Sequence, residues 1–272
     1  MTTMIKMYNY PTNSDVFRFP VSFKPGNVYG KNANITVEQA VTFTQKNAAF
    51  QRWLQRIDFE FANITDSVHS VEVLEIYPFG PVENGKGFVM ANAKVTRQLK
   101  DGKTIELPGA AFLRGDAVAI LPILIDEADY TKRYVLTTVQ PRVPVGESKC
   151  EEIPAGMMDD SHSFVGTAAK ELKEETGIEI KESELQELGS VSLSPGGCDE
   201  VIELFYMEKR MSADAIAALQ GKCTGVLQEG ESIKLNIRTQ KDFAMAIYLG
   251  EEISDAKALA AYYRYIGAGI DF

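Results

Sequence analysis

The sequence predicts an α+β fold. Three observations carry this. The apolar residues change period along the chain, from helical spacing to strand-like alternation to short continuous runs. Helix-like and strand-like stretches are mixed, with no regular βαβ repeat and no internal repeat. The 272 residues, 45% hydrophobic and 24% charged, suffice to bury a core as one large domain or two smaller ones.

Residues 1–35 are rich in Asn, Pro, Gly and Tyr without a sustained period, and read as an irregular arm. Thr36-Val37-Glu38-Gln39 has capping-box form. A helix is expected from there through Arg56, with Ala40, Phe43, Phe50, Trp53 and Leu54 as apolar positions followed by Ile57. Trp53 is read as a packing residue. From Ser67 the texture turns β. Val71, Val73 and Ile76 share one strand candidate, Asn84-Gly85 marks a turn, and Phe88 to Val95 suggests a second strand. Lys100-Asp101-Gly102-Lys103 fits a hairpin turn between 94–99 and 104–107, so this region predicts a small antiparallel sheet.

Ala117 to Ile125 and Tyr134 to Val139 are apolar runs expected to be buried strands, with Asp126 to Thr131 as their turn. Pro122 cannot donate to a ladder, which predicts an edge or a bulge for the first of them. Further strands are expected at 185–192, 201–207 and 232–238, and helices at 212–219, 241–249 and 254–266.

Composition excludes several classes. A formal net charge of −10 argues against a broad nucleic-acid surface. No apolar run is long enough to span a bilayer, and the N-terminus lacks the apolar core of a secretory signal. On that basis Asn34-Ile35-Thr36 and Asn63-Ile64-Thr65 read as chance glycosylation patterns. Cys150, Cys198 and Cys223 are odd in number and widely spaced, so reduced thiols and a cytoplasmic location are expected. The two histidines, His69 and His162, cannot build a multi-histidine zinc site, and no Gly-x-Ser-x-Gly elbow is present. Hydrolytic chemistry here would rest on carboxylates and a metal.

The most informative stretch is Gly156 to Ile178. Val165, Ala168, Ala169 and Leu172 form an apolar stripe, Ser161 or Ser163 suits the N-cap, and Gly177 suits a left-handed C-terminal position. Glu171, Glu174 and Glu175 fall on one helical face, where each like-charged pair costs a few tenths of a kcal/mol (roughly 0.2–0.5). A hard divalent cation would relieve that repulsion. A solvated acidic face is the alternative.

The spacing resembles the Nudix box: Gly, five residues, Glu, seven residues, Arg-Glu, an aliphatic residue, any residue, Glu-Glu, any residue, Gly and an aliphatic residue. Gly156 matches, and Lys170-Glu171-Leu172-Lys173-Glu174-Glu175-Thr176-Gly177-Ile178 closes the pattern. His162 stands in place of the first Glu and Lys170 in place of Arg. Within the family, residues from about 110 to 262 resemble the ADP-sugar and ADP-ribose diphosphatases, the plant-type ADP-sugar enzymes above all. The stretches Gln140-Pro141-Arg142-Val143-Pro144-Val145-Gly146, Ser194 to Glu200 and Glu229-Gly230-Glu231-Ser232-Ile233-Lys234 carry that likeness.

The resemblance implies an α/β/α sandwich around a mixed sheet over 111–272. A helix and antiparallel β region over 1–110 would precede it and help form a homodimer. It implies Mg²⁺, with Mn²⁺ as the alternative, held by Glu171, Glu174, Glu175 and the Ala155 carbonyl. It also implies that Glu229 acts as the base, with Glu231 as its rival or partner and Glu174 assisting. Arg142 would hold the diphosphate, with a surface ion pair as its alternative role. Gly196, Gly197 and Glu200 would line the sugar end, or form an ordinary turn. The implied reaction is hydrolysis of a nucleoside diphosphate sugar, ADP-ribose or ADP-glucose, to AMP and a sugar phosphate. Two other readings are a diphosphatase for another nucleoside diphosphate derivative and a nucleotide-sugar sensor without turnover.

Overall fold

The structure is a computed structural model that describes residues 8–9, 21–23, 36–62, 67–80, 87–158, 163–225, 232–250 and 252–269. Its contacts divide the chain into two units. One holds Met1–Gly115 together with Ser194–Glu200, and the other holds Asp116–Leu193 together with Val201–Phe272.

The first unit contains β1 (Tyr8–Asn9), β2 (Val21–Phe23), α1 (Val37–Lys46), α2 (Ala48–Ala62), β3 (Ser67–Phe79), β4 (Phe88–Gln98) and β5 (Thr104–Leu113). These strands form one sheet in chain order, antiparallel except for the parallel β2–β3 pair. The expected irregular arm therefore contributes two short strands. Too few residues pair there for alternation to show in the sequence.

The capping box at Thr36 and Gln39 is formed. The single helix expected after it is two. Asn47 interrupts it: its Oδ1 accepts the Phe50 N–H at 3.0 Å, and its Nδ2 donates to the Gly87 carbonyl at 2.9 Å. Asn47 thus caps α2 as Asn commonly does. The apolar period runs through the break because both helices cover the same sheet face, burying Ala40, Phe50 and Leu54 against Val71, Val73 and Val89.

The second unit contains β6 (Ala117–Asp126), β7 (Arg133–Arg142), β8 (Glu147–Glu152), β9 (Ala155–Met157), α3 (Phe164–Thr176), β10 (Gln186–Ser192), β11 (Val201–Met211), α4 (Ala213–Ala217), β12 (Cys223–Thr224), β13 (Ile233–Thr239), α5 (Gln240–Leu249) and α6 (Ala256–Gly267). The sheet order is β10-β11-β6-β7-β13-β12, with β8 on β7 and β9 on β6. Among the described strands of this unit only β11–β6 is parallel, so the sheet is mixed.

Helices cover both faces. Val118, Ile120, Leu124 and Leu136 pack with Ala168 and Leu172 of α3, while Ala119, Leu121, Ile123 and Val135 pack with Phe243 of α5 and Ala261 of α6. Alternate residues of β6 thus enter opposite cores, which is why its sequence is continuously apolar rather than alternating.

Pro122 is neither at a sheet edge nor at an irregularity of the β6 pairing. It is paired in register with Met207 of β11 inside the sheet. On the other side, β6 pairs with β9 over Ala117–Ala119 and with β7 over Ile123–Ile125. The Ile120 N–H on that side goes to the Pro154 carbonyl. Pro122 falls at the handover between the two neighbours, where its missing donor breaks no bond.

Candidate active site

The α3 helix starts at Ser163, whose Oγ accepts the Gly166 N–H at 3.0 Å, and it ends at Gly177 with φ of 75°. Only glycine takes that left-handed conformation without strain. The two buried faces of the helix fix where its carboxylates go. Ala168 and Leu172 enter the sheet core, and Glu175 lies one turn-step beyond Leu172, only 4% exposed.

The three acidic side chains then separate. Glu175 Oε2 accepts the Ala155 N–H of β9 at 3.1 Å. The Glu171 carboxylate occupies the space beside Gly156: a Cβ built there would stand 1.9 Å from Glu171 Cδ and about as close to both oxygens. Glu174 turns outward, its side chain 37% exposed and 4.0 Å from Lys170. Lys170, in the position where the resembled box has Arg, thus meets a box carboxylate. Strand β9 is held to β6 by the pairs Ala119–Ala155 and Val118–Gly156, so the backbone that receives Glu171 and Glu175 belongs to the sheet itself.

Arg142 closes β7 beside this cluster. Its Nε donates to Glu152 Oε2 at 2.6 Å, and it also feels the charge of Glu175. Burial alone would lower the Arg142 pKa, and Glu152 and Glu175 more than offset this. Glu152 Oε1 accepts from Lys257 Nζ at 3.0 Å, and Lys257 also donates to Asp255 Oδ1 at 2.9 Å. Burial would raise the Glu152 pKa, but Lys257 and Arg142 hold it below the usual carboxylate value. Glu152, Asp255 and Lys257 were not singled out from sequence. The Glu151-Glu152 pair is visible there, but only strand alternation tells its members apart. Glu151 instead meets Thr137, Asn236 and, through both oxygens, Arg238.

Gly196, Gly197 and Glu200 belong to the first unit. The Gly197 carbonyl accepts the Phe112 N–H at 2.8 Å, and Glu200 Oε1 lies 3.1 Å from Arg114 Nε. A Cβ at either glycine would meet nothing within 4 Å, so neither is required by a close contact in the structure. Asp199 Oδ1 accepts the N–H groups of Arg114 and Gly115, a role for which the sequence offered only a turn. Glu229, Glu231 and His162 lie outside the described residues.

Among the described residues, no three His, Cys, Asp or Glu side chains converge tightly enough to hold a metal by themselves. The residues present nonetheless fit a hard divalent ion. They offer oxygen donors alone, and the space that a Cβ at Gly156 would fill is given over to a carboxylate lying on the strand. Two cavities among the described residues, of about 590 and 420 Å³, share Tyr134 and Thr239 in their linings, and neither is lined by Arg142, Glu171 or Glu175.

Residues 114–233 match the NUDIX domain family model. The chain is 31% identical over 223 residues to Nudix hydrolase 14, chloroplastic, from Arabidopsis thaliana, across 78% of this chain and 68% of that protein. It is 33% identical to the methanol dehydrogenase activator of Bacillus methanolicus, across 58% of this chain and 78% of that protein. It is 31% identical to the ADP-ribose pyrophosphatase of Bacillus subtilis, across 53% of this chain and 69% of that protein. No described helix is long and apolar enough to cross a membrane.

Proposed function

Because the chain belongs to the Nudix hydrolase family, we propose that it hydrolyses the diphosphate bond of an ADP-sugar, giving AMP and a sugar phosphate. ADP-ribose and ADP-glucose are the leading substrates. The observation that carries this reading is the junction of α3 with β9, where Glu171 lies on Gly156 and Glu175 on the Ala155 amide beside Arg142.

Nudix hydrolases generally use divalent metal ions, and Mg²⁺ is the ion proposed here. Bound, it would screen the diphosphate and acidify a water. Glu171 and Glu175 are the residues to hold it, with Glu174 and the Ala155 carbonyl joining them. Arg142 supplies a planar fork suited to paired phosphate oxygens. Its bond to Glu152 orients that fork, so the ion pair supports the grip. Glu229 and Glu231 are the candidates for the proton acceptor by their place in the chain. Residues 1–110 are proposed as the dimerisation region, for which sedimentation of the full chain against residues 116–272 is the check.

The decisive experiment is product release from ADP-ribose, ADP-glucose, NADH and diadenosine polyphosphates, each with Mg²⁺ and with EDTA. Metal-dependent AMP from an ADP-sugar is the expected result. Release from NADH or a dinucleotide alone would move the substrate class. Tight ADP-sugar binding with no turnover would make the protein a sensor.

A further inference from the structure

Lys257 lies beyond the residues matched by the family model, on the first turn of α6, yet it is only 8% exposed. Burying an ammonium is costly unless its charge is met. Here it is met twice, by Asp255 Oδ1 at 2.9 Å and Glu152 Oε1 at 3.0 Å. Asp255 is itself tied down. Its Oδ1 caps the helix through the Lys257 N–H at 3.0 Å, and its Oδ2 accepts the Ile153 N–H at 3.3 Å. The start of α6 thus grips the end of β8 by a side chain and by the adjoining backbone. From Glu152 the chain of charge continues through Oε2 to Arg142 Nε at 2.6 Å.

Exposure rises along this line. The Lys257 and Glu152 side chains are each 10% exposed and Arg142 is 36% exposed. The outer end is the group that must meet a substrate, and the inner end is locked. A guanidinium bonded through Nε keeps its terminal Nη pair, the edge that matches two phosphate oxygens. Fixing Nε therefore aims the fork. A long side chain on a strand end would otherwise give up several rotamers each time it bound.

We propose that Lys257 is a positioning residue for diphosphate binding, which acts through Glu152 to hold the Arg142 guanidinium in its binding orientation. This rests on the reading of Arg142 as the diphosphate grip. A purely structural role is the alternative, since a buried ion pair removed on one side leaves an unmet charge wherever it sits. The two roles differ in what they couple to. A positioning residue loses its effect on binding when Arg142 is absent, while a structural one does not.

The test is a double-mutant cycle of Lys257→Met and Arg142→Ala. Three quantities are read: KM and kcat for ADP-ribose with Mg²⁺, Kd for the non-hydrolysable α,β-methylene analogue of ADP-ribose in EDTA by calorimetry, and Tm. Lys257→Met is expected to raise KM and Kd about fivefold to tenfold, with a smaller change in kcat. In the Arg142→Ala background that effect on KM and Kd should vanish, while the fall in Tm persists. The proposal is overturned if Lys257→Met leaves Kd unchanged, or if its effect on Kd is the same with and without Arg142. If Arg142→Ala alone leaves Kd unchanged, the diphosphate-grip reading fails first, and the proposal with it. Should Lys257→Met not fold, Lys257→Gln is read in the same cycle by the same criteria.

Discussion

Gly156 shows how one missing atom can make room for a side chain rather than free the backbone. Its φ is ordinary, and the pressure on it comes from outside: the Glu171 carboxylate fills the volume of its absent Cβ. Carboxylate atoms at the end of a flexible side chain can move aside, so Gly156→Ala should change stability by only ~1 kcal/mol or less. The displaced carboxylate is another matter. A shift of about 1 Å at a reacting centre can cost on the order of a hundredfold in rate. Gly156→Ala is therefore expected to keep its Tm within a few degrees while losing most of its activity. Glu175→Gln should likewise lose about a hundredfold or more in kcat, with circular dichroism unchanged. Equal turnover in either variant would remove α3 from the reaction. The cysteines give a simpler check. Cys150 is buried, and desolvation with the nearby Glu152 and Glu147 pushes its thiol up to about 11. Cys223 is exposed. Iodoacetamide at pH 8 should label Cys223 readily and Cys150 only after denaturation.

At the scale of elements, β8 does two jobs with adjacent residues, because successive side chains of a strand leave on opposite sides. Glu152 serves Arg142 and Lys257. Glu151 ties β7 to β13 through Thr137, Asn236 and Arg238, and Arg238 goes on to Glu252 at 2.6 Å. Burial would raise the Glu151 pKa, but Arg238, Thr137 and Asn236 hold it below the usual carboxylate value. Glu151 therefore gives up its proton more readily folded than unfolded. Its contribution is fully present above about pH 4.5 and is lost as pH falls through the lowered folded value. Glu151→Gln should cost about 3 kcal/mol at pH 7. That difference should shrink progressively in urea titrations as the pH is lowered below about 4.5. A gap that stays constant with pH would mean that packing, not charge, is what Glu151 supplies. The same strand marks the limit of what the sequence discloses. The box helix, its Ser cap and its glycine stop were legible because helical period and cap chemistry are local signals. The β8 strand, the Lys257 contact and the helix break at Asn47 depend on partners 10, 105 and 40 residues away in sequence. No local period records such pairings.

At the scale of the whole molecule, the chain leaves the second unit after Leu193, contributes Ser194–Glu200 to the first, and returns at Val201. In sequence order those residues fall inside the Nudix domain expected over 111–272. Their bonds are made with the end of β5. Phe112 donates to the Gly197 carbonyl and accepts from the Asp199 N–H at 3.2 Å, Asp199 Oδ1 takes the N–H groups of Arg114 and Gly115, and Arg56 Nη1 donates to the Asp199 carbonyl at 2.6 Å. Every one of those partners precedes residue 116, so a fragment of residues 116–272 keeps the loop and loses these bonds. The sheet, α3 and the Arg142–Glu152–Lys257 line lie wholly within that fragment. It should fold and bind divalent metal, yet be cut by chymotrypsin after Leu193 or by a glutamate-specific protease after Glu200 far sooner than the full chain, since cleavage follows the population of the locally open form. Asp199→Ala in the full chain should reproduce part of that sensitivity, at a cost of about 1–3 kcal/mol for two amides left without their acceptor. Equal protection of the loop in fragment and full chain would show that the first unit does not hold it. ADP-sugar turnover by the fragment then separates two uses of the loop. If the loop lines the sugar end, KM should rise steeply while the metal requirement stays. If it is only a tie between chain segments, KM should be that of the full chain.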